Sequence, residues 1–315
     1  MGRPSTTTRA KWCPCRVSVS SRPVAVDPSG RVTSTRTVPG SSTSTQTVAR
    51  VASTWRRRGP RRREGIRQCW TMTDPSRLLR RVHRHPDAVV DPATWPDSVP
   101  AVTQLLTEGL DVPPGVTFLV GENGAGKSTI VEGIAEALGV PAGGGSRRHR
   151  GPGRDGDPVD ASGLGERLQA VRGVARARDV FFLRAETMHD FYSYLHAAGS
   201  PSHSDLHRMS HGESFLDVVG ASWMRSVGLL LLDEPESALS FRNSLALGAT
   251  FAAMAREGRQ VLCATHSPVL TALPGARVLQ VDEQGITPVA WEDLALVRDW
   301  RFFLDAPGRY WRHVL

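Results

Sequence analysis

Three groups of residues in this chain have types and spacings that suit chemistry. Gly121-Glu122-Asn123-Gly124-Ala125-Gly126-Lys127-Ser128-Thr129 fits the pattern G-x-x-x-x-G-K-[ST]. Its glycines let backbone N–H groups close around phosphate oxygens. Lys127 is spaced to reach the β and γ phosphates of a nucleoside triphosphate, and Ser128 to offer its hydroxyl to Mg2+. Composition isolates the same position, because Lys127 is the only lysine after residue 11 in a chain that otherwise carries its positive charge on arginine. A slim ammonium suits a phosphate cradle. The second group, Asp233-Glu234, follows the four leucines Leu229 to Leu232. Asp233 is placed to hold Mg2+ and Glu234 to orient or deprotonate an attacking water. Standing alone, this pair is an acidic turn after a strand; the phosphate loop in the same chain favours the catalytic reading. The third group is His266 in Thr265-His266-Ser267-Pro268, again just past an apolar run. A lone imidazole there is commonly structural, yet this one shares its rim with the other two groups.

These residues need elements to hold them, and the hydrophobic pattern supplies strands and helices in alternation. Val116 to Val120 is a short β-branched run ending at the phosphate loop, and Thr129 to Leu138 then places Ile130, Ile134 and Leu138 on one helical face. Val180 to Leu183, Leu229 to Leu232, Gln260 to Thr265 and Arg277 to Val281 read as four further buried strands. Continuous apolar runs separated by helical segments predict a mostly parallel sheet covered on both faces. In such a sheet, ligands bind at the carboxyl ends of the strands, where all three groups fall. Residues 143–165, rich in Gly and Arg, read as an exposed loop insertion. There is no internal repeat.

The net charge of +8 over 315 residues suggests a nucleic-acid or anionic-membrane binder until the charge is located. Residues 1–71 hold 15 of the 39 Lys+Arg against two acids, Asp27 and Glu64. The remainder carries 24 basic and 29 acidic groups, a net of −5, which withdraws the inference. Residues 1–71 also contain 21 Ser+Thr, six Pro and no sustained period, so they read as a disordered basic extension. Three origins stay open: a transit peptide, a basic nucleic-acid arm, or sequence upstream of a true initiator at Met72. Thr73-Asp74-Pro75-Ser76 forms a helix-start pattern before Leu78 and Leu79. Residues 72–315 then make one ATP-binding domain. Cys263 is the only cysteine after residue 69, and no run approaches the 18 or more apolar residues of a membrane span, so the expected location is cytoplasmic.

The order of motifs resembles the ABC-type ATPase superfamily. The phosphate loop is followed by Ser210-His211-Gly212-Glu213, similar to that family's signature, then by the Leu-rich strand with Asp233-Glu234-Pro235, and then by Thr265-His266-Ser267. Phe182-Leu183-Arg184-Ala185-Glu186 and the short length look like stand-alone ATPases grouped loosely with AAA-type proteins. The resemblance spans about residues 95–305. It implies an α/β P-loop NTPase fold, Mg2+-dependent hydrolysis of ATP to ADP and phosphate, and a head-to-tail homodimer around two nucleotides. In that dimer Ser210, His211, Gly212 and Glu213 act in trans. Lys127, Glu234 and His266 are the implied catalytic residues, Ser128 and Asp233 the metal contacts, and Trp95 a candidate for stacking on adenine, although a loop or packed aromatic is the plainer reading.

Three departures from the family pattern stand out. His211 replaces a Gly; Arg184-Ala185-Glu186 stands where a metal-contacting Gln is usual, leaving Glu186 as a substitute; and Ser240 replaces an Asp. Three roles are consistent with the motifs: a stand-alone cytosolic ATPase, the ATP-binding subunit of an ABC transporter with a membrane permease, or a nucleotide-gated clamp in DNA repair or defence with little turnover. Only 83 residues separate Lys127 from Ser210, too few for a long coiled-coil arm. Trp300, Phe302, Phe303, Tyr310 and Trp311 form a C-terminal aromatic cluster expected to pack in the core or at a dimer face.

Overall fold

Apolar side chains on both sides of one strand need cover on both faces of its sheet, and the strands that carry the motifs meet that demand. The computed structural model describes residues 77–146, 162–173, 178–185, 216 and 218–314, all within the unit Ile66–Leu315. Among them, β1 (Leu79–Arg84), β2 (Leu110–Asp111) and β5 (Leu168–Arg172) form a three-stranded sheet in the order β2-β1-β5. The central sheet has seven strands in the order β10-β9-β3-β8-β7-β6-β4. These are β3 (Gly115–Val120), β4 (Gly145–Ser146), β6 (Asp179–Arg184), β7 (Val227–Asp233), β8 (Gln260–Thr265), β9 (Arg277–Asp282) and β10 (Gly285–Val289). The five inner strands are parallel, and the two edges, β10 on β9 and β4 on β6, are antiparallel. The mostly parallel α/β sheet expected from the apolar runs is therefore present.

The inner strands divide their residues between two cores. Leu119, Leu229, Leu231, Leu262 and Ala264 face the layer made by helices α1 (Pro100–Glu108) and α2 (Lys127–Ala137) with the three-stranded sheet. Phe118, Leu230, Leu232, Val261 and Cys263 face the layer that contains α3 (Phe241–Arg256) and α4 (Pro268–Thr271). Each fully buried Leu of β7 contributes roughly 1.5–3 kcal/mol relative to exposure. Two short helices, α5 (Ala295–Asp305) and α6 (Pro307–Val314), close the described chain. No helix among the described residues is long and apolar enough to cross a membrane.

Three expectations need correction. The helix-start pattern Thr73 to Ser76 itself lies outside the described residues, and Leu79–Arg84 is a strand, so no helix runs through Leu79. Its pattern Leu79-Arg80-Arg81-Val82 buries Leu79 and Val82 and exposes Arg80, and β1 gains backbone partners on both sides, from β2 and β5. The proposed insertion at 143–165 is not wholly an exposed loop, since Gly145–Ser146 is a buried edge strand on β6 and Leu164 is fully buried against α2. Residues 147–161 lie outside the described residues. Of the two placements expected for the C-terminal aromatics only the core is corrected: Trp300, Phe302, Tyr310 and Trp311 are each more than 40% exposed, and Phe303 links Trp300 to Tyr310 by edge-to-face contacts.

Candidate active site

The phosphate loop hangs between the end of β3 and the start of α2. Its shape demands glycine at two places for different reasons. A Cβ on Gly121 would fall 1.9 Å from the Val281 carbonyl of the neighbouring β9, so only a bare Cα lets the chain leave the sheet there. Gly126, which precedes α2, has a φ of 96°, a region that costs L side chains strain. Beyond it the first N–H groups of α2, those of Lys127, Ser128 and Thr129, have no partner inside the helix and point with its positive end toward the loop. Glu122, Asn123 and Gly124 are exposed at the loop tip, and Gly121 and Ala125 are half-buried.

Lys127 is buried and donates from Nζ to the Glu122 carbonyl at 2.8 Å. Burial lowers its pKa, and the nearby carboxylates of Glu234, Asp233 and Glu236 oppose that shift. One turn of packing away, Ser128 donates from Oγ to Asp233 Oδ1 at 2.9 Å. The strand β7 ends at Asp233, and parallel pairing with β6 and β8 holds it beside Arg184 and Ala264. Ser128 and Asp233 thus offer two hard oxygen donors at one point, which suits Mg2+ shared with phosphate and water.

Glu234 follows with a φ of 47°, the only non-glycine among the described residues with positive φ. Its N–H still donates to the Ala264 carbonyl at 2.9 Å, so the backbone turns sharply off the sheet while tied to β8. Strained backbone of this kind persists where surrounding structure over-determines it. The Glu234 side chain is half-buried, and its Oε1 lies 3.0 Å from His266 Nε2. His266 is placed by the end of β8 and by Ser267, whose hydroxyl caps α4 by accepting from the Leu270 N–H. Sequence reasoning overlooked Glu236: its Oε1 accepts from the His266 backbone N–H, and burial raises its pKa. Ser240 caps α3 by accepting from the Asn243 N–H at 3.3 Å, a structural use for the position where the family pattern has Asp.

A cavity of 300 Å3 joins Trp95, Val99, Asn123, Gly124, Gly126, Lys127, Ser128, Thr129 and Glu234. Trp95 is 61% exposed at its rim, so it is a loop aromatic whose indole is free to meet a planar ligand. Arg184 also escaped the sequence reading as a site residue, and it pairs with both Glu132 and Asp233. Burial raises the Glu132 pKa, an effect Arg184 opposes. Glu186, Ser210, His211, Gly212 and Glu213 lie outside the described residues.

The family comparison falls on the same segments. Residues 106–180 match a model described as "AAA domain", and residues 195–272 match one described as "AAA domain, putative AbiEii toxin, Type IV TA system". No curated protein gives a significant match. Among solved structures, the chain is similar to a putative metal-chelate type ABC transporter in an inward-facing conformation, at 16% identity, covering 69% of this chain and 84% of that one with a TM-score of 0.39. It is also similar to cbiO1 of Clostridium perfringens, part of the ABC transporter complex cbiONQ, at 16% identity, covering 76% of this chain and all of that one with a TM-score of 0.41. The phosphate loop lies inside the first matched segment and Asp233, Glu234 and His266 lie inside the second, so the chain is similar to AAA domains over both stretches that carry the site.

Proposed function

We propose that this protein binds ATP with Mg2+ at the cavity between Trp95 and Glu234 and hydrolyses it to ADP and phosphate. The observation that carries this reading is the meeting of Lys127, the Ser128–Asp233 pair and the Glu234–His266 pair on one sheet rim. Lys127 and the loop N–H groups bind the β and γ phosphates, and the Trp95 indole stacks on the base. Ser128 Oγ and Asp233 hold Mg2+, which neutralises phosphate charge when bound. Glu234 accepts a proton from the attacking water as its oxygen bonds to phosphorus and the bridging oxygen leaves with ADP. His266 orients the Glu234 carboxylate, and once nucleotide is present it also hydrogen-bonds the γ-phosphate.

The resemblance of 210–213 to an ABC signature extends the reading to a head-to-tail homodimer, in which Ser210 and Gly212 of one protomer contact the nucleotide of the other. A stand-alone ATPase of this kind turns over without a permease. Lys127→Ala is expected to abolish binding of a fluorescent ATP analogue. Glu234→Gln is expected to keep that binding while slowing phosphate release by about 100-fold or more. Wild-type turnover in Glu234→Gln would remove the general-base assignment, and full binding in Lys127→Ala would remove the phosphate-site assignment.

A further inference from the structure

The carboxylate of Asp233 is held from two sides. Its Oδ1 accepts from Ser128 Oγ at 2.9 Å, and its Oδ2 lies 3.5 Å from Arg184 Nε. Arg184 ends β6, and strand register sets it directly beside Asp233. Its Nη1 reaches Glu132 Oε2 at 3.1 Å, and Glu132 stands one helical turn beyond Ser128 on α2. The Ala185 N–H also donates to the Asp233 carbonyl at 3.2 Å, so the backbone after Arg184 is tied to the same residue. Three elements, α2, β6 and β7, therefore converge on one guanidinium with little solvent access: the Arg184 side chain is 17% exposed, that of Glu132 9% and that of Asp233 8%.

We propose that Arg184 is a positioning residue for the divalent cation. Resting on the ATPase reading, its charge faces Oδ2 and leaves Oδ1, which accepts from Ser128, as the oxygen that would serve the cation. Glu132 balances the guanidinium charge, and the three side chains together keep the single negative charge that a lone Asp233 would present. The planar guanidinium suits this bridge because its charge is spread over a rigid fork, with Nη1 hydrogen-bonded to Glu132 and the Nε edge ion-paired with Asp233; a lysine ammonium cannot reproduce that spacing. Arg184 thus links the metal-binding strand to the phosphate-loop helix without touching nucleotide itself.

The test is an Mg2+ titration of fluorescent ATP-analogue binding by the wild-type chain, Arg184→Gln and Arg184→Lys, with a parallel series in EDTA. Groups that orient a metal ligand typically change metal affinity by about 10- to 100-fold, so the half-saturating Mg2+ concentration should rise about tenfold or more in Arg184→Gln. Binding in EDTA should stay within about twofold, and Arg184→Lys should fall between the two. An unchanged or lowered Mg2+ requirement in Arg184→Gln overturns the proposal while leaving the ATPase reading intact. Should Arg184→Gln not fold, Arg184→Lys decides by the same readout. A wild-type chain that binds no nucleotide overturns both readings.

Discussion

At the scale of single residues, the site is organised by carboxylates in unlike surroundings. Glu234 is half-buried and pairs with His266, whereas Glu236 sits deeper and spends one oxygen on the His266 backbone N–H. Burial raises the Glu236 carboxyl above its ordinary range, so the folded chain holds that proton more tightly than the unfolded chain does. The stability this confers is present in full below the unfolded pKa and is lost as pH rises through the raised folded value. Glu236→Gln cannot ionise and escapes that loss. Its stability relative to wild type is therefore expected to improve between about pH 5 and about pH 8, read from urea midpoints at both ends. A difference that does not change with pH would show that Glu236 ionises as freely in the fold as outside it. Lys127 behaves in the opposite sense, with burial lowering its pKa and three carboxylates opposing the shift.

At the scale of elements, one buried side chain makes four hydrogen bonds across the joint between the two sheets. Gln260 opens β8 and is 1% exposed. Its Oε1 accepts from the N–H groups of Leu78 and Leu79 at 2.8 and 2.9 Å, and its Nε2 donates to the carbonyls of Leu79 and Pro113 at 2.8 and 3.1 Å. The same strand ends at Thr265, next to His266, so the three-stranded sheet is fastened to the strand that presents the imidazole. Gln260→Ala orphans several buried backbone groups and is expected to cost roughly 2–4 kcal/mol, since each unsatisfied group costs about 1–3 kcal/mol. Chemical denaturation measures the loss, and hydrogen exchange should report it first in β1. A variant as stable as wild type, with unchanged protection of Leu78 and Leu79, would show that the side chain is dispensable.

At the scale of the whole molecule, one sheet carries two cores and a single functional rim, while the aromatic residues of α5 and α6 remain at the surface. The homodimer reading makes a direct prediction. Glu234→Gln with ATP and Mg2+ should elute at about twice the monomer mass by light scattering, and should return to the monomer when Lys127→Ala is added, because binding of nucleotide is then lost. A monomer under saturating ATP would refute nucleotide-driven dimerisation without touching the assignment of the P-loop.

Much of the central sheet was legible from the chain, for physical reasons. A strand buried on both faces must be apolar throughout, so β3, β6, β7, β8 and β9 announce themselves as runs, and the helix after the phosphate loop shows its 3.6-residue period at Ile130, Ile134 and Leu138. The strand β1 was hidden because Leu-Arg-Arg-Val-His-Arg buries only Leu79 and Val82, and its partner β5 lies more than 80 residues away. Arg184 and Glu236 were hidden for a related reason: an ion pair or a side-chain clamp depends on register between strands, and composition carries no record of register.

By itself the sequence determined the phosphate loop, the acidic strand end and the parallel sheet, since each depends on residue type and near-neighbour spacing: glycines that free the backbone, one lysine, and leucines without relief. Tertiary structure alone decided that Ser128 meets Asp233, that His266 meets Glu234, and that Arg184 bridges Asp233 to Glu132. Those contacts join residues 32 to 105 positions apart. They exist because parallel pairing aligns the carboxyl ends of separate strands on a common rim, and only the folded sheet supplies that alignment.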